Sequence, residues 1–319
     1  MGEGTTELNI KGRAFQVPAV SIQDVTIAVM GRILKTAVIK GEAWLEKKSI
    51  NDPTRLIKAL EASGLKVDIF HFNQMLPDLE PKYHYPIGWQ NVAAIPLTSY
   101  SDWWENRASQ VTRKNVRRSA KRGVAIRRVE FNDSLIEAIV RINNEVPVRT
   151  GRKFWHYGKS FETVKKDYSA YLERSEFLGA FYQNEIIGFS RLILQGEIAS
   201  VMQLLSFNAH YDKRPSNALI AAAVESCVSK GIRYLIYGQY TYDDNADNPL
   251  TEFKRRNGFE PYLVPGYYVP FTFKGRLAIK LNLHAGLKKL MPKPLMNLAR
   301  ILRARHYERK KTPLAKEDD

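Results

Sequence analysis

The chain has 319 residues, 44% of them hydrophobic and 26% charged, with a net charge of +16. This is an ordinary globular balance, in a length that suits about two domains. It excludes a spanning helix, because no run nears the ~18 apolar residues one needs, and an internal disulfide, because Cys227 is the single cysteine.

The opening MGEGTTELNIKGR lacks the apolar segment of a secretory leader, so a reducing cytoplasm is the expected setting. The charge is concentrated. Arg107 to Arg128 holds nine basic and no acidic residues, and Phe273 to Asp319 holds thirteen basic and four acidic. Each stretch is +9, which leaves the other 250 residues at −2. The chain therefore carries two local basic devices on a near-neutral body.

In chain order, Leu8–Ile10 and Phe15–Val20 read as a hairpin, and two apolar runs between Ile22 and Ile39 read as strands. Asp52 and Pro53 start a helix whose face is Leu56, Ile57 and Leu60 and whose stop is Gly64. Val67–Phe72 is a strand, Pro77–Pro86 a loop, and Val92–Leu97 a further strand.

Tyr100 to Trp104 leads into a basic helix. Ala108, Thr112, Val116 and Ala120 form its narrow face, the pairs Arg113-Lys114, Arg117-Arg118 and Lys121-Arg122 cover the rest, and Gly123 caps it. This helix is a solvated basic face, a surface for a phosphate-rich ligand or anionic membrane, or a nucleic-acid surface, which would draw its aromatic or base-reading partners from outside the helix.

Phe131–Asn144 has an apolar face of Leu135, Ile136, Ile139 and Ile142 at helical spacing. The loop Glu145–Glu162 that follows sets Arg149, Arg152 and Lys153 beside Phe154, Trp155, His156 and Tyr157. Aromatic faces hold a sugar or acyl chain, arginines hold carboxylate or phosphate, and an imidazole titrating near neutral pH can deprotonate an amine or hydroxyl. The competing reading has Phe154 and Trp155 plugging a core.

From Phe177 the pattern changes to a meander: Phe177–Phe181, Ile186–Leu194 and Ala199–Phe207, joined by short polar turns. Asn217–Lys230 is a helix with Leu219, Ala222, Ala223 and Cys227 at helical spacing, capped by Gly231; Cys227 reads as a small buried apolar residue. Tyr234–Tyr237 is a short strand, Leu250–Asn257 a helix stopped by Gly258, and Phe259–Thr272 is extended. The sum is α+β with one curved sheet.

That order of elements resembles the GNAT acyltransferase fold. LTEFKRRNGF (Leu250–Phe259) and RKNVRRSAKRGV (Arg113–Val124) are similar to two motifs of its FemAB-like branch, whose members carry two such folds in tandem. The resemblance covers residues 90–272. It implies a degenerate first copy over residues 1–106, a linking helix over 107–128, a second copy over 129–272 and a basic helical tail over 273–319. It also implies transfer of an acyl group from acyl-CoA to an amine or hydroxyl of a cell-envelope sugar or its precursor, free or lipid-linked, by direct attack. Aminoacyl-tRNA as donor, or a non-catalytic binding module, are the alternatives.

By the same resemblance, Gln203, Leu204 and Leu205 lie on the strand edge beside the donor thioester. Lys213, Arg214, Ser216 and Asn217 stand where the family's glycine-rich loop holds the donor pyrophosphate at a helix N-terminus. Serine replaces the first glycine there, and Pro215 removes an N–H. Tyr240 and Tyr242 follow the strand from which a tyrosine protonates the leaving group, with Tyr240 preferred, and His156 is the candidate base. Lys254 binds donor phosphate or pairs with Asp243 or Asp244. Asp243, Asp244 and Asp247 lack the glycine and distal glutamate of a calcium loop, so no metal site is expected. In the tail, Leu277, Leu281, Leu287 and Met291, then Leu295, Leu298 and Leu302, give apolar faces among basic residues, which lie on an anionic membrane at the inner face of the cell or pack on the preceding domain.

Overall fold

A computed structural model of the chain describes residues 4–10, 13–22, 25–41, 52–149, 152–241 and 248–285. The first strands are β1 (Gly4–Ile10), β2 (Arg13–Ile22), β3 (Val25–Met30) and β4 (Thr36–Ile39), an antiparallel run. Helix α1 (Pro53–Glu61) then crosses to β5 (Ile69–Asn73), which pairs parallel to β4. As expected, Asp52 caps α1, accepting from the Arg55 amide at 3.2 Å, and Pro53 fills its first turn.

Next come β6 (Ile87–Pro96), a helical segment from Tyr100 to Arg107, and the basic helix α2 (Gln110–Lys121). They lead to β7 (Ala125–Val129) and α3 (Asp133–Asn144), then a two-residue ladder of β8 (Val148–Arg149) with β9 (Arg152–Lys153), and α4 (Phe161–Ser169). The meander is β10 (Ser175–Tyr182), β11 (Glu185–Gln195) and β12 (Ile198–Ser206). Helix α5 (Pro215–Ser229) crosses to β13 (Tyr234–Gln239), parallel to β12; α6 (Pro249–Arg256), β14 (Glu260–Pro270) and α7 (Phe273–Lys280) follow.

The repeat that no residue-by-residue comparison reveals is plain in the ladders. Each half is an antiparallel run, a crossover helix, and a parallel fifth strand. The halves also exchange strands. Among the described residues one mixed sheet runs β1-β2-β3-β4-β5-β14-β6-β13-β12-β11-β10-β7. β14 pairs with β5 and β6, and β6 pairs with β13. Strand period explains how β6 serves both halves: Val92 and Ala94 enter the core built on Phe70, Phe72 and Tyr267, while Ala93 and Ile95 enter the core built on Leu219, Val224 and Cys227.

The structure differs from expectation in three places. β7 is absent from the sequence reading because it is an exposed edge strand carrying Arg127 and Arg128, charges that also protect an edge from further pairing. Helix α4 lies partly inside the expected loop, with Ser160 capping it. The buried face of α2 runs through Thr112 and Ser119, with Ala108 buried just before the helix, and Ala120 is exposed. A strict four-residue step drifts around a 3.6-residue helix, so the face needs a three-residue step to stay in register.

Candidate functional site

β12 and β13 pair only from Ile198 to Ser200 and from Tyr234 to Ile236, then part. Where they part, β12 bulges at Met202: Val201 stands opposite Leu192 and Gln203 opposite Arg191. A bulge adds twist and turns the strand away from its neighbour. The β13-facing edge beyond Ser200 therefore has no strand partner among the described residues, and it carries Gln203, Leu204 and Leu205. The Gln203 Oε1 is buried and finds no donor among them.

At the far end of β12 the chain turns through Asn208–Lys213 into α5. Arg214 is left-handed (φ 56°), Pro215 is the first helical residue, and no side chain caps the helix. The matching helix of the first half, α1, is closed by the Asp52 carboxylate. Only the second half presents an uncapped N-terminus, the place where backbone amides and dipole attract an anion. Ser216 Oγ lies 3.3 Å from Ser206 Oγ at the end of β12. Lys213 rests 4.7 Å over Tyr182, and Arg214 stacks 4.3 Å over Tyr211, which is 67% exposed.

Beside this turn lies α2. Lys114, Arg117, Arg118, Lys121 and Arg122 line an open trough of about 380 Å³. Arg122 is bonded to Asp212 in the turn, so trough and helix N-terminus are joined. Arg113, by contrast, donates to the carbonyls of Trp104, Glu105 and Ala108 at 2.8–3.2 Å and serves the scaffold.

The Phe253–Gly258 motif works as a bracket. Asn257 is fully buried: its Oδ1 accepts from Asn217 Nδ2 at 3.1 Å, its Nδ2 donates to the Phe253 carbonyl at 2.7 Å, and its carbonyl accepts from Trp103 Nε1 at 2.9 Å. Asn217 in turn accepts from Asn115 of α2 at 3.3 Å. The Asn217 side chain is thus engaged in the scaffold, and its contribution to a donor would come from the backbone. Lys254 is also fully buried; its ammonium donates to the Gln239 carbonyl and lies 4.7 Å over Tyr237, and burial pushes its pKa down to about 8. Its ammonium is thus engaged by β13 and the residue that ends it. Asp243, Asp244, Asp247 and Tyr242 lie outside the described residues. Among the described residues no His, Cys, Asp and Glu cluster suits a metal ion.

Tyr240 sits directly after β13. Its amide donates to Asn91 Oδ1 at 3.0 Å, and its carbonyl accepts from Thr251 of α6 at 3.2 Å, so strand exchange positions it: Asn91 belongs to β6.

The aromatic loop is tied to the turn between β12 and α5. Glu145 accepts from the Asn208 and Ala209 amides at 2.8 and 3.0 Å. Arg149 donates to the carbonyls of Ser206 and Ile142 at 3.0 and 2.8 Å, pairs with Glu145 at 3.2 Å and stacks 4.8 Å over Phe154. Trp155 is 52% exposed and Tyr157 is exposed, so neither plugs a core, while His156 turns inward with Nδ1 lacking a partner among the described residues. Burial is the main cause that lowers the His156 pKa, helped by the Lys159 and Arg149 charges and opposed by Asp167; the net shift favours the neutral imidazole. The backbone of Arg152 lies in β9; its side chain is outside the description.

These contacts give a prediction that separates the two arginine-aromatic partners. Arg149→Ala removes the donor from the Ser206 and Ile142 carbonyls and the counter-ion from Glu145, and is expected to cost about 2 kcal/mol of stability. Trp155→Ala is expected to stay within about 0.5 kcal/mol of the parent while slowing acceptor turnover. Denaturant melts and a transfer assay on both variants check it; a Trp155 variant that is destabilised like the Arg149 variant would make the loop a structural plug.

Sequence reasoning missed Asn143 and Glu145. Asn143 is fully buried with neither amide atom partnered among the described residues. Its signal was available: an asparagine four residues after Ile139 and seven after Ile136, on an apolar face that has no other use for an amide.

No family model and no curated protein matches the chain. Solved structures do. The chain is similar to FemX at 11% identity and TM-score 0.58, covering 86% of this chain and 90% of that one. It is similar to the C-terminal domain assigned to a lysylphosphatidylglycerol synthetase of Agrobacterium fabrum at 14% identity and TM-score 0.55, covering 82% and 86%. L-PGS from Bacillus licheniformis matches at 14% and 0.54, covering 81% and 85%. The fold is therefore the one shared with FemX and these two lysylphosphatidylglycerol synthetase structures.

Proposed function

We propose that the protein is an acyltransferase that moves an aminoacyl or acyl group from a phosphate-rich carrier to an amine or hydroxyl of a cell-envelope sugar, its precursor or a lipid-linked form. The observation that carries the reading is one continuous surface. It comprises the unpaired β12 edge at Gln203–Leu205, the uncapped α5 N-terminus with Lys213, Arg214 and Ser216, and the basic trough of α2.

The donor carbonyl lies along the β12 edge. The acceptor nitrogen or oxygen attacks it directly and passes its proton to neutral His156. The carrier's oxygen or sulfur leaves as the acyl bond breaks and takes a proton from Tyr240. Trp155 and Tyr157 provide faces for the acceptor. Two observations favour different carriers. An uncapped helix N-terminus fits a diphosphate, hence coenzyme A. Five cations in an open trough exceed what one diphosphate needs and fit an RNA backbone, hence aminoacyl-tRNA. The RNA carrier is the preferred reading; Pro215 leaves fewer amides for the diphosphate. One structural neighbour is named for lysylphosphatidylglycerol, an aminoacyl ester of a lipid, which supports the same reaction class. The proposed working units are residues 1–106 and 129–272, joined by 107–128 and sharing strands, with 273–319 appended.

The test is single-turnover transfer from charged tRNA and from acyl-CoA, in parallel, to an amino sugar and a lipid-linked sugar. Transfer from tRNA with none from acyl-CoA is expected. Transfer from neither, with saturable binding of both, would leave a binding module.

A further inference from the structure

We infer that one end of the first half is a docking surface for an anionic lipid bilayer, built jointly from the β3–β4 turn and helix α7. The two elements are 240 residues apart and share one anchor, Asp68. Its carboxylate accepts from the Lys35 amide at 2.8 Å and from Thr272 Oγ at 2.8 Å, and pairs with Lys274 at 2.9 Å. Its backbone exchanges bonds with Lys35 and with Phe271 at 2.8 and 2.9 Å. Gly275 and Ala278 turn inward, and any side chain at Gly275 would collide with the Asp68 carbonyl, so the helix has one permitted rotation.

That rotation puts Phe273, Leu277 and Leu281, at four-residue steps, on the outside, with exposed Leu283 following. Phe273 is 74% exposed. At the tip of the turn Ile33 is 85% exposed. Isolated exposed leucines are common; a helical row of large apolar side chains, held rigid beside a bare isoleucine, is not what water selects. Apart from the buried Asp68 that pairs with Lys274, the flanking charges are of one sign: Arg32 and Lys35 on the turn, Lys274, Arg276 and Lys280 on the helix, with no acidic residue from 273 to 285. An apolar strip rimmed by cations matches the acyl boundary and headgroups of an anionic leaflet. Among the described residues no helix is long and apolar enough to cross a membrane, so the contact is interfacial. The surface goes beyond the transfer reaction and does not rest on it.

Co-sedimentation of the full chain with phosphatidylcholine vesicles, with and without phosphatidylglycerol, tests this at low and high salt. The parent is expected to bind only the anionic vesicles, and less at high salt. Ile33→Asp and Phe273→Asp, both at exposed positions, should each weaken binding on the order of tenfold with unchanged melting and unchanged transfer to a soluble acceptor. A parent that ignores anionic vesicles overturns the proposal. So does an Ile33→Asp variant that binds like the parent, because residues after 285 would then act alone. So does a parent dimer that these substitutions break without any vesicle uptake.

Discussion

Asn257→Ala is expected to lower the unfolding free energy by about 2–4 kcal/mol, because it removes one buried amide that links α6 to α5. The side chain is fully inaccessible, joins α6 to the start of α5 through Asn217, and lies in the same turn as the carbonyl that takes Trp103 Nε1. Alanine leaves the Asn217 amide buried without its acceptor and opens a small void. The neighbouring Gly258 sets the geometry: its φ is +86°, and a Cβ there would approach Arg107 at 3.0–3.2 Å, so the bracket closes around glycine. A double-mutant cycle with Asn217→Ala is the measurement. If the bracket acts as a unit, the double variant loses clearly less than the sum of the singles. Additive losses, or a single loss below about 0.5 kcal/mol, would return the motif to an ordinary helix stop.

The buried bonds of Asn257 give a scaffold role to a motif whose Lys254 the family resemblance connected to donor phosphate or to Asp243 or Asp244. What was legible followed from local rules. The β11 and β12 runs, the α5 face ending at Gly231 and the Asp52-Pro53 start each rest on a few neighbouring residues. What was not legible depends on partners far away in the chain. The exchange of β6 and β14 leaves no polar–apolar alternation over Val92–Ile95 or Val264–Tyr267, because a stretch buried on both faces is simply apolar. Arg149 looks like a ligand group in sequence, yet its partners are carbonyls at Ser206 and Ile142. Asn217 and Lys254 likewise bond to groups no motif displays. The open β12 edge was foreseen by resemblance; the bulge at Met202 that accompanies it could not be, since a bulge is a property of two strands together.

Replacing Lys114, Arg117, Arg118 and Lys121 together by glutamine is expected to weaken donor binding by two to three orders of magnitude at low salt, on the order of what several phosphate contacts contribute. The four cluster on α2 and repel one another in the free protein, while Arg117 also lies 5.6 Å over Trp104, so their removal should change the melt little. Arg113 and Arg122 are left in place because they bond to the Trp104, Glu105 and Ala108 carbonyls and to Asp212. The salt dependence identifies the carrier. Each lost phosphate contact on a single-stranded RNA lowers the slope of log affinity against log salt by about 0.7, so four contacts lower it by about 3. A coenzyme A donor, anchored mainly at the α5 N-terminus, should lose about one unit of slope or less. Lys213→Ala with Arg214→Ala supplies the complementary test at the turn, where either carrier must bring a phosphate. If the four-residue variant keeps both the parent's donor affinity and its salt slope, the trough is a solvated face. The donor would then be held by the turn and the β12 edge alone.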